Sequence, residues 1–216
     1  MNLIIFGPPG AGKGTQATFI CQEFNLVQIS TGNLLRKEIK KNTNPGKEIE
    51  KIINRGILVS DDTISNLLEK IISNSNNFNK LVLDGYPRNM PQVEKLNYYM
   101  KKYKQKLSAV ICLNIEKDIV KKRLEGRLFC TTCQKTFNEY FNPPTPNNHD
   151  CEKANIKKRT DDNIETIINR FDTYLEKTKP VLHYYQKNSN FYEIDGSGDI
   201  KEIFNKIRAI LSNISN

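Results

Sequence analysis

The stretch "GPPGAGKGT", residues 7–15, follows directly on the apolar run "NLIIF" at residues 2–6. Glycines at 7, 10, 12 and 14 are costly to order, because glycine loses more backbone freedom on folding than any other residue. A glycine-rich loop between a strand and a helix leaves successive backbone N–H groups pointing inward at the positive end of the helix dipole. That geometry binds phosphate. The glycines let the backbone approach oxygen atoms closely, and Lys13 supplies a point charge for the β and γ phosphates of a nucleotide. The strict P-loop pattern has Ser or Thr directly after the lysine; here Gly14 stands there and Thr15 follows.

Further apolar runs recur at residues 25–30, 80–84, 109–115 and 190–195, with helix-length segments between them. Short apolar strands spaced in this way predict an α/β fold, a parallel sheet covered by helices on both faces. Helices are expected from Gly12 to Phe24, over "TGNLLRKEIKK", from Pro45 to a stop at Gly56, after a capping Asp61, and from Pro91. The long segment "DNIETIINRFDTYLEKTKPVLHYYQK" should kink or divide at Pro180, and "DIKEIFNKIRAILSNI" forms the last helix. Residues 128–158 break the rhythm, with Cys130, Cys133 and Cys151, three prolines, many polar turn residues and no clear helical period. They read as a flap inserted between two helices.

At 216 residues the chain can bury one substantial core carrying inserted flaps. No apolar run approaches the roughly 18–20 residues needed to cross a bilayer. The start, "MNLIIFGPPG", lacks a basic n-region and a small-residue cleavage site, so a cytoplasmic location is expected. The 33 Lys and Arg against 24 Asp and Glu give a net charge of +9, suited to polyanions. The lysines are dispersed, without interleaved aromatic motifs, which argues against a nucleic-acid partner. Five cysteines are an odd number in a chain without a secretion signal, which speaks against a disulfide framework.

Asp84 closes the run "KLVLD", where a carboxylate on a neighbouring strand would hold magnesium or its water shell beside the phosphates. The motifs "GPPGAGKGT", "STGN", "LDGYPRN", an R-x3-R pair at Arg123 and Arg127, and "RTDDN" with an arginine eleven residues after Arg159 together resemble the adenylate kinases, over essentially the whole chain and in the same order. The resemblance is to the bacterial type with a long lid. It implies a P-loop nucleoside monophosphate kinase fold built on a parallel five-stranded sheet flanked by helices. Residues 1–29, 60–126 and 160–216 would be the core domain, 30–59 the domain that binds the monophosphate, and 127–159 the lid.

The same resemblance implies a magnesium-dependent transfer of the terminal phosphoryl group of ATP to AMP, giving two ADP, by a monomer without a membrane partner. ATP would contact Gly10, Ala11, Gly12, Lys13, Gly14, Thr15, Arg127, Thr136, Phe137 and Gly198. AMP would contact Thr31, Arg36, the backbone of Ile57, Leu58 and Val59, then Gly85, Tyr86, Pro87, Arg88 and Gln92, with Arg159 and Arg170. The catalytic set would be Lys13, Asp84, Arg88, Arg123, Arg159 and Arg170. Asn33 departs from the family's usual Asp in "STGD", which puts local hydrogen bonding in question before activity. A kinase for another monophosphate, or one using GTP as donor, would share most of these residues.

"CTTC" at 130–133 has the C-x2-C spacing of a zinc knuckle in an insert too small to bury a core of its own. The family's metal-bearing lids have a second such pair; this chain offers Cys151, with Ala154 where a partner could stand. His149 or Asp150 would complete a tetrahedral structural zinc site. The alternative is a lid held by ordinary packing and hydrogen bonds.

Overall fold

The computed structural model describes residues 1–133, 135–159 and 161–215. Its centre is a five-stranded parallel sheet of β1 (Asn2–Phe6), β2 (Val27–Ser30), β3 (Leu81–Asp84), β4 (Leu107–Asn114) and β8 (Phe191–Asp195), in the order β2-β3-β1-β4-β8. Alternate residues of each strand feed opposite faces, and both faces are apolar. Ile4, Phe6, Leu81, Leu83, Val110 and Cys112 enter one core, with Leu68 of α4 (Asp61–Ile72), Val93 and Leu96 of α5 (Met90–Lys102) and Val181 of α8 (Lys179–Tyr185). Leu3, Ile5, Val82, Ala109, Ile111 and Leu113 enter the other, under Ala17 and Ile20 of α1 (Lys13–Phe24) and Ile203, Ile207 and Leu211 of α9 (Ile200–Ser215).

The connection from β1 runs to one side, to β2, and the connection from β3 crosses β1 to reach β4 on the other, so a crevice opens at the carboxyl end of the sheet. Two inserts overhang that crevice. The first is the helix pair α2 (Thr31–Lys40) and α3 (Asn44–Asn54), which pack against each other. The second is a small antiparallel sheet of order β6-β5-β7, formed by β5 (Arg127–Cys130), β6 (Thr136–Asn138) and β7 (Ile156–Lys157). So the flap has regular structure that its sequence does not announce.

Local signals act largely as expected. Ser30 and Thr43 cap α2 and α3 through their hydroxyls, Pro45 sits in the first turn of α3, and Gly56 follows its end at φ 72°. Near Pro180 the long segment does divide: α7 (Ile164–Thr173) passes through a π-helical turn at Tyr174–Thr178 into α8. One expectation needs correction. The cap of α4 is Ser60, and Asp61 is its first residue, with its carboxylate engaged elsewhere. The helix that precedes the flap is short, α6 (Lys117–Glu125); it buries Val120 and Leu124 against the glycine loop.

At the opposite end of the sheet a polar side chain ties the elements together. Asn2 has 0% exposure; its amide donates to Asn79 Oδ1 at 3.2 Å, Gln105 Oε1 at 3.0 Å and the Lys106 carbonyl at 3.0 Å, and its oxygen accepts from the Leu81 N–H at 3.1 Å. Gln105 in turn donates to the Ile72 carbonyl at 2.8 Å. No helix of the described residues is long and apolar enough to cross a membrane. Replacing Asn2 with Ala orphans the buried Leu81 N–H and is expected to destabilise the fold by about 1–3 kcal/mol. The check is a lower urea midpoint at unchanged slope.

Candidate active site

The glycine loop lies at the carboxyl end of β1 and runs into α1. Gly7, Gly10 and Gly12 have φ of 148°, 82° and 90°, a region that side-chain-bearing residues rarely enter. A β-carbon at Gly7 would stand 2.8 Å from the Leu113 carbonyl oxygen. The loop closes round Lys13, whose Nζ donates to the carbonyls of Gly7 and Pro8, both at 2.8 Å. Burial lowers the Lys13 pKa to about 8, with Asp84 opposing the shift and Arg88 and Arg127 adding to it. Asp84 is buried at the end of β3, beside Gly14, and accepts from Gln28 Nε2 at 3.3 Å.

Across the crevice, Gly85 adopts φ 76°, and its carbonyl accepts from Thr31 Oγ1 and from Arg88 Nε, both at 2.8 Å. A β-carbon there would meet Arg88 Nη2 at 2.9 Å, so the position needs glycine. Arg36 donates to Asn33 Oδ1 at 2.7 Å. Asn33 therefore offers Arg36 an acceptor but no compensating charge. Residues 54–56, which lead into the segment 57–59, are held by one face of α7. Thr166 Oγ1 donates to the Asn54 carbonyl at 2.6 Å, Asn169 Nδ2 to Arg55 at 3.2 Å, and Thr173 Oγ1 to Gly56 at 3.4 Å, occupying the free carbonyls at the end of α3.

Lid and core arginines converge between these two ends. Arg127 forms a fork on Asp162, with Nε at 2.6 Å from Oδ2 and Nη2 also bonded to Oδ1. Arg170 bonds Asp161 and reaches Asp162 at 3.5 Å. Arg123 contacts the carbonyls of Ala11, Ser197 and Gly198 at 3.4–3.5 Å. Arg159 lies over the Phe129 ring, 5.8 Å from its centre. Burial, followed by the repulsion of Arg127 and Arg36, lowers its pKa to about 9. Burial would raise the Asp161 carboxyl, but Arg170 outweighs it and holds the group below the usual carboxylate range.

The Nε atoms of Arg36 and Arg159 are both buried with no hydrogen-bond partner. Two charge-bearing donors left unpaired in one cavity are what an absent anionic ligand would satisfy.

One cleft of about 670 Å³ contains every nucleotide residue expected from the sequence. Gly10 to Thr15, Asp84, Arg123, Arg127, Thr136, Phe137 and Gly198 line it towards the glycine loop and the small sheet. Thr31, Arg36, Ile57 to Val59, Gly85 to Arg88, Gln92, Arg159 and Arg170 line it towards the helix pair. The carboxylates of Asp161 and Asp162 were not assigned a role from sequence, although "DD" between two arginines was a usable signal. Gln28, which bridges Thr18 and Asp84, carried no such signal.

In the lid, Cys130, Cys133, Cys151 and His149 bring their ligand atoms within 4.8 Å of one another. His149 is the fourth member; Asp150 is not part of the group. Its Nε2 is buried without a partner, and its ring packs edge-on against Phe137 at 5.0 Å. Burial opposes ionisation of Cys130, but the N–H groups of Cys133 and Thr132 and contact with His149 prevail and bring its thiol down to about 6. Three sulfurs and an imidazole suit zinc, whose tetrahedral donors lie roughly 3.5 Å apart.

A parallel sheet of this order, a phosphate loop after its first strand and an arginine-rich pocket facing that loop define the class of P-loop nucleoside monophosphate kinases. Residues 5–190 match the family model described as adenylate kinase. The chain is 49% identical to an adenylate kinase of Pelagibacter ubique over 211 residues, covering 98% of this chain and 99% of the relative. It is 37% identical to one from Listeria innocua over 213 residues, with 98% and 99% covered. An adenylate kinase of Caldanaerobacter subterraneus is 36% identical, with 98% and 96% covered. The chain belongs to the adenylate kinase family.

Lys13 is charged below its lowered pKa and neutral above it, so its charge is lost as pH rises through about 8. ATP affinity of the free protein, measured by calorimetry between about pH 7 and 9.5, should fall on the alkaline side with a slope approaching one proton. Lys13→Met should abolish that slope.

Proposed function

We propose that this chain catalyses reversible transfer of the terminal phosphoryl group of ATP to AMP, yielding two ADP, with the phosphates of both nucleotides held end to end in the cleft. The observation that carries this reading is the pair of unpartnered, buried guanidinium nitrogens of Arg36 and Arg159, in a cavity whose other end is a glycine loop around Lys13.

The physical problem is repulsion. A single pair of like charges about 4 Å apart repels by roughly 4 kcal/mol at an effective dielectric of 20, and two nucleotides bring several such pairs. In this reading the loop N–H groups and Lys13 hold the ATP phosphates, while Arg36 and Arg88 hold the AMP phosphate. Arg123, Arg127, Arg159 and Arg170 surround the group in transit and stabilise charge spreading over its equatorial oxygens. Arg127 and Arg170 exchange Asp161 and Asp162 for phosphate when substrate enters. Magnesium bound with ATP would add positive charge to the phosphate oxygens, and Asp84, oriented by Gln28, is the carboxylate placed to hold it or its water. No general base is needed, since a phosphomonoester's second ionisation lies near pH 6.

Water competes with AMP as acceptor. We assign its exclusion to closure of residues 127–159 and 30–59 over residues 1–29, 60–126 and 160–216. We assign adenine of ATP to Thr136, Phe137 and Gly198. Zinc at Cys130, Cys133, His149 and Cys151 would staple the small sheet and, with four protein ligands, leave no open position for chemistry. We also read the enzyme as a cytoplasmic monomer without nucleic-acid or membrane partners; every assigned residue comes from one chain.

Given ADP and magnesium alone, the protein should form ATP and AMP in equal amounts, which coupled assays or chromatography detect. Arg88→Met should lower kcat/KM for AMP by roughly 10²–10³-fold while circular dichroism stays unchanged. A folded wild-type protein inert towards ADP overturns the assignment. For the lid, elemental analysis should find about one zinc per chain. Cys130→Ser should lose that metal and lower the melting temperature.

A further inference from the structure

Gln92 is 3% exposed and lines the cleft, whose apolar lining includes Leu35, Ile53, Val59 and Ile64. An apolar slot with one buried amide suits a flat heterocycle read at one edge. Which edge it reads depends on which way the amide points, and both of its ends are fixed. Oε1 accepts from the Arg88 backbone N–H at 2.7 Å, and Nε2 donates to Asp61 Oδ1 at 2.6 Å. The Asp61 carboxylate is itself held through both oxygens by Asn89 Nδ2, at 3.0 and 3.1 Å. Asn89 also caps α5 through the Gln92 N–H at 2.9 Å. Turning the amide over would set oxygen against carboxylate and N–H against N–H. These partners, rather than a choice between equivalent orientations, determine where the nitrogen lies.

We propose that Asp61 is the positioning residue that sets acceptor specificity, by locking the Gln92 amide in the orientation that matches a 6-amino purine and opposes a 6-oxo purine. The inference rests on the proposed transfer to AMP, with the AMP base set beside Gln92. Each end of the amide retains one unfilled position, an N–H on nitrogen and a lone pair on oxygen. Adenine offers the complement, a 6-amino donor next to the N1 acceptor. Hypoxanthine and guanine present the reverse, a 6-oxo acceptor next to an N1–H donor. They meet donor with donor and acceptor with acceptor unless the amide turns, and turning it breaks the bonds to Asp61 and Arg88. A site built this way rejects the wrong edge through groups left unpaired.

The test compares AMP with IMP, which differ at this edge and lack the extra 2-amino group of GMP. Asp61→Asn keeps the size and lets the residue at 61 donate as well as accept, so one of the two locks is released and only the Arg88 N–H still opposes a turned amide. The ratio of kcat/KM for AMP over IMP should fall at least about tenfold, with the change carried by KM and kcat for AMP held within a few-fold. Asp61→Ala serves as the second variant if the first does not fold, with the same expectation. An unchanged ratio, or an equal loss for both acceptors, overturns the proposal and leaves Asp61 as a merely structural residue. Gln92→Leu separates this from the underlying placement. If that variant leaves KM for AMP unchanged, the base does not lie beside Gln92 and the site assignment itself fails.

Discussion

Lys13, Arg36, Arg88, Arg123, Arg127, Arg159 and Arg170 all face one cleft, and the chain must fold before any phosphate is present to neutralise them. Gathering cations in a partly desolvated space is unfavourable, and the lowered pKa values of Lys13 and Arg159 report that penalty directly. The structure meets it with carboxylates and carbonyls as temporary partners. Asp161 and Asp162 hold Arg170 and Arg127, while loop carbonyls hold Lys13 and Arg123. These contacts hold the cations in place, and in the proposed reaction phosphate oxygens replace them. The arrangement explains why two successive aspartates sit among these arginines.

The sheet supplies the rigidity this requires. Both faces of β1, β3 and β4 are buried under separate helical layers, so the carboxyl ends of those strands carry Gly7, Asp84 and Gly85 on an immobile base. The two inserts are lighter. The small sheet pairs over only a few residues, and the helix pair is tied to α7 by three side-chain bonds to carbonyls. The helix pair also sends Leu35 and Ile49 into the larger core, which leaves the small sheet as the more weakly held of the two. The Cys130, Cys133, His149 and Cys151 cluster offers the lid a metal staple in place of a core.

Much of this was readable in the chain itself. Apolar runs spaced by helical segments determine a parallel α/β fold, because a strand buried on both faces needs apolar residues at every position. The glycine pattern before Lys13 determines the shape of that loop, because glycine tolerates its positive φ values. The order of the arginine motifs identified the cleft-lining set, all of which lines one cavity. By contrast, α6 is short and mostly charged, and its existence depends on Val120 and Leu124 finding a site beside Gly10. The strands of the small sheet lack alternation and form through pairing partners up to 28 residues away in sequence, as Lys157 and Phe129 show by their numbers.

Charge and hydrogen-bond partnership were decided only by tertiary structure. The sequence places Asp61 at a helix start, where capping is the ordinary expectation; packing gives the cap position to Ser60 and turns the carboxylate to Gln92 and Asn89. It offers His149 and Asp150 equally to the cysteines, and the lid's path brings His149 into the group. Periodicity and loop chemistry are local, set by a residue and its close neighbours, and so they can be read along the chain. Which donor meets which acceptor depends on where distant segments come to rest in space.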